Sequence, residues 1–353
     1  MTPEIRFSQL EPIRDRTRIW PVFLPFQGCP NRCLYCAQDA QTGAPAESLG
    51  QSFDRLEAGF RQAHSHGTPP FELGFYGGTF TRLPRDWTAK FIGLAARYRR
   101  LGLITRIRCS TRPDGLDRAG LSALKEEGLD LVELGVQSLS DRVLTLSMRS
   151  YSREEAEKGC RIVRESGLDL GIQLLPGLPG HKPRTWLRDI DRVIKLQPAL
   201  VRIYPCLVVK GTGLEKQWQK GGYVPWSLEQ TVASLGRGVF RLWRAGIPVT
   251  RIGLPPESGL VSNLAAGPWH PALGSLVKSR ILLARLVFQA LALGPGAKEV
   301  ICPRRFQGEF FGHQGRHRAR LARVGIPPGA VTFWDQDHFV IRKKTRTAQK
   351  TDV

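Results

Sequence analysis

The hydrophobic pattern of this chain changes period at a regular pace. Short apolar runs that predict buried strands fall at residues 22–27, 71–76, 104–110, 131–137, 168–175 and 200–208. Between them, apolar positions recur at helical spacing over 53–64, 85–99, 118–127, 152–166 and 185–196. Glycine or proline marks most junctions, as at Gly102, Gly128, Gly167 and Pro198. Strands that alternate with helices are expected to run parallel, joined by right-handed crossovers. Six such units predict an α/β fold, a partial (β/α)6 version of the eight-stranded TIM barrel. It would span residues 20–254 behind a short N-terminal segment, 1–19.

Beyond Leu254 the rhythm is lost. Leu254-Pro255-Pro256-Glu257-Ser258-Gly259 reads as a linker or turn. An apolar helix near 273–293, a short strand around Val300, a basic helix near 311–323 and a strand near 333–341 then predict a small α+β accessory domain, 255–342. The end, 343–353, is charged and polar and is expected to be a basic disordered tail. No apolar run approaches the roughly 20 residues that cross a bilayer, and the N-terminal stretch lacks the apolar core of a secretory signal. The expected setting is therefore cytoplasmic, with no membrane partner. Charge adds to this picture, because 52 Lys and Arg stand against 31 Asp and Glu, a net of +21. Such an excess favours a polyanionic partner, since each neutralised phosphate releases counterions. Charge alone does not separate RNA from acidic protein or anionic lipid.

Candidate chemistry centres on Gly28-Cys29-Pro30-Asn31-Arg32-Cys33-Leu34-Tyr35-Cys36. Cys29, Cys33 and Cys36 offer three thiolates on one loop to a cubane iron–sulfur cluster and leave the fourth iron open to another ligand. A zinc knuckle is the alternative, but it would want a second Cys pair or His ligands at fixed distance, and none follows. Cys109, Cys160, Cys206 and Cys302 stand singly and read as small buried apolar side chains. Free thiols suit a reducing compartment. In the expected barrel the cysteine loop, Gly77-Gly78-Thr79, Ser110-Thr111-Arg112, Gln137-Ser138, Pro176-Gly177-Leu178-Pro179 and Pro205-Cys206 all fall at C-terminal strand ends, where active sites gather. Gln137 and Gln173 carry amides that both donate and accept, and Arg149 carries a charge suited to a carboxylate. The bland readings are a buried loop aromatic for Tyr35, a turn for Gly77-Gly78, a solvated arginine and a satisfied barrel glutamine.

The triplet, directly after an apolar segment, resembles the radical S-adenosylmethionine (radical SAM) superfamily. The resemblance implies a 4Fe-4S cluster on Cys29, Cys33 and Cys36, chelated by the methionine end of S-adenosylmethionine (SAM). It also implies a low-potential electron donor and cleavage of SAM to a 5′-deoxyadenosyl radical. Tyr35 would then lie near the adenine and Gly77, Gly78 and Thr79 near the methionine amino group. Gln137 and Gln173 would lie near the ribose, and Arg149 near the methionine carboxylate. Phe75-Tyr76-Gly77-Gly78-Thr79-Phe80, Ser110-Thr111-Arg112-Pro113-Asp114, Val132-Glu133-Leu134-Gly135-Val136-Gln137-Ser138, the Gln173–Gly180 string, Arg202-Ile203-Tyr204-Pro205 and Lys210-Gly211-Thr212-Gly213-Leu214 occur in order. Together they resemble the radical SAM core of the Elongator catalytic subunit, a family that modifies wobble uridine in tRNA.

Three departures accompany this likeness. The cysteines have the compact superfamily spacing, and Ser110 stands where that family usually has Glu. The residues after Leu254 are too few for its acetyltransferase domain. The expected function is a radical SAM enzyme of RNA, specifically tRNA, modification. Alternatives are a radical SAM enzyme for a small anionic metabolite or tetrapyrrole, and a non-catalytic RNA-binding protein with a structural cluster. Arg304-Arg305-Phe306 and residues 312–320 mix basic with aromatic or imidazole groups, which suits RNA contact or a merely solvated basic helix. His181 is given no role.

Overall fold

A computed structural model describes residues 3–12, 17–38 and 47–344. They fall into two compact units, one from Pro12–Thr231 and Arg241–Pro271, the other from Met1–Glu11, Val232–Phe240 and Ala272–Val353. Strand β1, Glu4–Ser8, belongs to the second unit.

The first unit is built on a curled half-barrel of seven parallel strands: β2 (Ile19–Leu24), β3 (Phe71–Gly77), β4 (Ile104–Thr111), β5 (Leu131–Gln137), β6 (Asp169–Leu174), β7 (Leu200–Ile203) and, after a short β8 (Val208–Val209), β9 (Val249–Ile252). They lie in that order, apart from β8, and every pairing is parallel. Both faces of such a sheet are covered, so β5 is buried along its whole length. The sheet has one strand more than the six expected. The extra strand, β9, is only four residues long and follows Pro248, too short for a clear period.

Several element ends differ from the sequence expectation for local reasons. Strand β2 stops at Leu24 because Pro25 and the positive φ of Phe26 turn the chain. Pro21 is tolerated inside β2 because β2 is an edge strand. Strand β7 ends at Ile203, and Val208–Val209 instead pairs antiparallel with β10, Leu264–Ala266. The crossover helices begin at side-chain caps: Ser48 with Gln51 before Leu49–Ser65, and Ser152 with Glu155 before Arg153–Glu165. The segment Leu254–Gly259 lies within the first unit and leads into a short helix, Ser258–Asn263.

The second unit holds a four-stranded sheet in the order β1, β13 (His338–Lys343), β11 (Lys298–Pro303), β12 (Val331–Trp334). Its core packs Leu286 of the helix Leu273–Ala292 in one cluster with Phe7, Val300, Phe310 and Phe339. The strand expected over 333–341 is two strands, separated at Asp335-Gln336-Asp337. The basic helix expected over 311–323 is shorter, Arg318–Arg323, because Gly312, Gln314 and Gly315 adopt positive φ. The expected tail overlaps the end of β13, and beyond Lys344 it lies outside the described residues. Among the described residues no helix is long and apolar enough to cross a membrane.

Candidate functional site

At the C-terminal strand ends of the first unit lies a cavity of about 580 Å³. Cys29, Cys33, Cys36, Tyr35, Gly77, Gly78, Thr79, Gln137, Arg149 and Gln173 all line it. Residues far apart in the chain meet here because parallel strands end on one rim.

The cysteine loop is seated on the end of β3. The Gly78 N–H donates to Leu24 O at 2.9 Å and the Thr79 N–H to Gln27 O at 2.7 Å. A Cβ at Gly78 would lie 1.9 Å from Gln27 O, and Gly77 takes a φ of +103°. The two glycines therefore admit the backbone of the cysteine loop itself. Gln38 ties the same parts together, accepting from Phe26 N and donating to Gly77 O, both at 2.6 Å. Thr79 Oγ1 lies 3.4 Å from Cys29 Sγ.

Arg149 reaches the loop from the other side. Its Nη1 donates to Cys33 Sγ at 3.0 Å and its Nη2 to Gly135 O at 2.7 Å, while Tyr151 Oη lies 2.9 Å from Nε. No carboxylate pairs with this guanidinium among the described residues. Burial, and then Cys33 and Cys29, push the Cys36 thiol up to about 12, with Arg149 and Arg32 opposing. Among the described residues, two buried polar atoms of the cavity find no partner, Tyr35 Oη and Gln137 Oε1. Gln137 also holds a φ of +65° at the end of β5, a conformation uncommon outside glycine.

Residues 23–193 match the Radical SAM superfamily, and residues 198–282 match the Radical SAM C-terminal domain. The chain belongs to the radical SAM superfamily. It is 30% identical over 256 residues to a tRNA uridine(34) acetyltransferase of Methanocaldococcus infernus, covering 61% of this chain and 48% of that one. It is 26% identical over 285 residues to Homo sapiens Elongator complex protein 3, covering 67% and 51%. The chain thus spans about half the length of these curated relatives. Among solved structures, the archaeal Methanocaldococcus infernus Elp3 with an N-terminal deletion shares the fold, with a TM-score of 0.58 at 22% identity. That likeness covers 75% of this chain and 63% of the other.

Membership of the radical SAM superfamily implies SAM and a 4Fe-4S cluster, and the residues present fit both. Three thiols on one loop form a soft donor set suited to iron–sulfur ligation. Among the described residues no three His, Cys, Asp or Glu side chains converge on a single ion. A cubane separates its ligand thiolates onto different irons, so it does not need that convergence. Arg149, without a carboxylate, offers positive charge to thiolate and to an incoming carboxylate. The unpartnered Tyr35 Oη and Gln137 Oε1 offer a donor and an acceptor to a polar ligand, and buried polar atoms normally have such partners.

In this radical SAM chain, the cavity floor is a buried charge network that spacing alone does not single out. Glu133, fully buried on β5, accepts from Arg108 Nε at 2.8 Å, Arg202 Nη1 at 2.9 Å, Gln173 Nε2 at 3.0 Å and Tyr76 Oη at 3.2 Å. Burial raises the Glu133 carboxyl, but Arg202, Arg108 and Gln173 more than offset it and hold it below its ordinary value. Gln173 also donates to Ser110 Oγ at 2.7 Å, so its amide N–H groups are engaged and its Oε1 is left for the cavity. Arg112 is gripped by Asp114 through two bonds of 2.9 Å and by Ser150 at 2.6 Å. The signal for these residues is parity: Arg108 with Ser110, Glu133 with Gly135 and Gln137, and Arg202 with Tyr204 fall two apart on their strands. His181 lies outside this cavity, buried with its Nε2 3.4 Å from Asp189 Oδ2.

Proposed function

We propose that this protein binds a 4Fe-4S cluster through Cys29, Cys33 and Cys36, binds SAM beside it, and modifies tRNA. The observation that carries the reading is the meeting of the three cysteines with Gln137, Arg149 and Tyr35 around one cavity. When bound, the cluster and SAM supply one-electron cleavage of the sulfonium and abstraction of a substrate hydrogen, with the electron coming from a low-potential donor.

The chain's own residues supply position and shelter. Arg149 holds the carboxylate of the methionine moiety and the Cys33 sulfur on one guanidinium. Gln137 Oε1 and Gln173 Oε1 accept from ribose hydroxyls, and Tyr35 Oη meets the polar edge of the adenosine. The glycines at the end of β3 keep the cysteine loop against the rim, with Gly77 beside the methionine amino group. The Glu133 network keeps Tyr76, Gln173 and Arg202 fixed along the cavity wall. Walls of this kind exclude water from a reactive site.

The tRNA substrate is supported by relatives named tRNA uridine(34) acetyltransferase and by the net charge of +21. The test is nucleoside mass spectrometry of tRNA after incubation with reconstituted protein, SAM and reductant. An altered nucleoside that depends on SAM supports the reading. SAM cleavage with unchanged nucleosides overturns the RNA substrate and favours a small anionic one.

A further inference from the structure

The second unit concentrates positive charge that its own acids do not balance. Glu4 pairs with Arg6, Glu11 with Lys278, Glu299 with Arg342, Asp335 with Arg304 and Asp337 with Arg305. Glu309 is the remaining carboxyl among the described residues of this unit, and burial holds it above the ordinary carboxylate range. Arg280, Arg316, Arg318, Arg320 and Arg323 are all exposed, and none makes an ion pair among the described residues.

Three of them form a row on a firm base. Arg316, Arg320 and Arg323 stand at i, i+4 and i+7 on right-handed helical backbone, so they share one face over roughly 10 Å. Arg316, Arg280 and Arg320 crowd the buried His317 and, after burial itself, push its imidazole down to about 4. His317 Nε2 lies 2.8 Å from Ser279 Oγ, which donates to Glu309 O at 2.6 Å. Arg318 lies over the Phe311 ring at 5.3 Å.

Like charges held together without a carboxylate are relieved by an anion. All five groups are arginine, whose planar fork matches phosphate with two parallel bonds. The row is longer than one small anion, and Arg318 over the Phe311 ring adds the pairing of basic and aromatic groups that RNA contacts use. A membrane surface would want apolar side chains among the charges; Leu321 of helix Arg318–Arg323 is buried, and the exposed Phe288 and Leu291 lie about two to three turns beyond Arg280 on helix Leu273–Ala292.

We propose that Arg280, Arg316, Arg318, Arg320 and Arg323 form a docking site for an RNA backbone on the second unit. This rests on the RNA substrate argued above and locates a surface that receives it. The experiment is binding of a fluorescein-labelled tRNA transcript to reconstituted full-length protein across a series of salt concentrations. The variant R316Q/R320Q/R323Q should bind at least about tenfold more weakly near 0.1 M salt, with a log K against log salt slope shallower by about 2–3. R316K/R320K/R323K should keep the wild-type slope, and SAM cleavage without RNA should be unchanged in both.

Wild-type affinity and slope in the glutamine variant would overturn this site while leaving the tRNA substrate standing. Absence of RNA binding by the wild type would overturn both. Loss of binding to phosphatidylserine vesicles, with RNA binding intact, would overturn it in favour of a membrane surface. If the triple glutamine variant melts early, R320Q and R323Q singly carry the same test, each expected to flatten the slope by about one.

Discussion

Glu133 is a carboxylate that must stay charged to hold the cavity floor together. Arg202 pairs with Glu133 while Arg108 shares it with Glu72, so Glu133→Gln leaves the buried Arg202 guanidinium unbalanced and Arg108 with Glu72 as its carboxylate. The expected loss is about 3–5 kcal/mol in chemical denaturation; a wild-type midpoint would contradict the network. Because the folded chain favours the ionised form, this contribution is complete above about pH 4.3, the ordinary Glu value, and declines as pH falls below it. Gln137 is a different kind of residue, with an unpartnered acceptor facing a ligand site. Gln137→Ala should raise the SAM dissociation constant roughly tenfold, about 1.4 kcal/mol, with the melting temperature unchanged. Equal SAM affinity by equilibrium dialysis would remove it from the cofactor contacts. The cysteines are legible in sequence because their close spacing marks them as a set, and the structure brings all three to the cavity. Glu133 is less legible, since a polar residue at an alternating strand position reads alike whether it faces water or a buried arginine.

The element that decides the site is the loop from β2, clamped on the end of β3. Gly78→Ala puts a methyl group into the Gln27 carbonyl, an overlap that only loop movement can relieve. The variant should keep its far-UV circular dichroism yet lose most of its reconstituted iron and sulfide, and full iron content would contradict the clamp. Legibility at this scale follows length. The strands β3, β4 and β5 match their apolar runs within a residue or so, whereas β9 escapes notice with four residues. The helix Leu228–Arg244 has a signal that can be read, Ser227 capping Gln230 and then Leu235, Val239 and Leu242 at helical spacing. The basic helix of the second unit shortens because positive φ in its first turns is a backbone choice that polarity does not encode.

At the scale of the molecule, chemistry and charge are distributed between two units. The first unit carries the radical SAM signature and the cavity, and its repeat of strand and helix makes the architecture readable from period alone. The second unit is assembled from separate stretches of the chain, with β1 pairing β13, and no local pattern announces a pairing between such distant segments. Its unpaired arginines account for part of the +21 charge that composition shows without location. The central claim concerns the first unit: three cysteines hold a cluster that cleaves SAM. The direct measurement is 5′-deoxyadenosine formation by anaerobically reconstituted, dithionite-reduced protein with tRNA present, beside Cys29→Ala, Cys33→Ala and Cys36→Ala. The account predicts product from the wild type and none from any of the three variants. A fully assembled cluster without 5′-deoxyadenosine, or product formation by the cysteine variants, would contradict it.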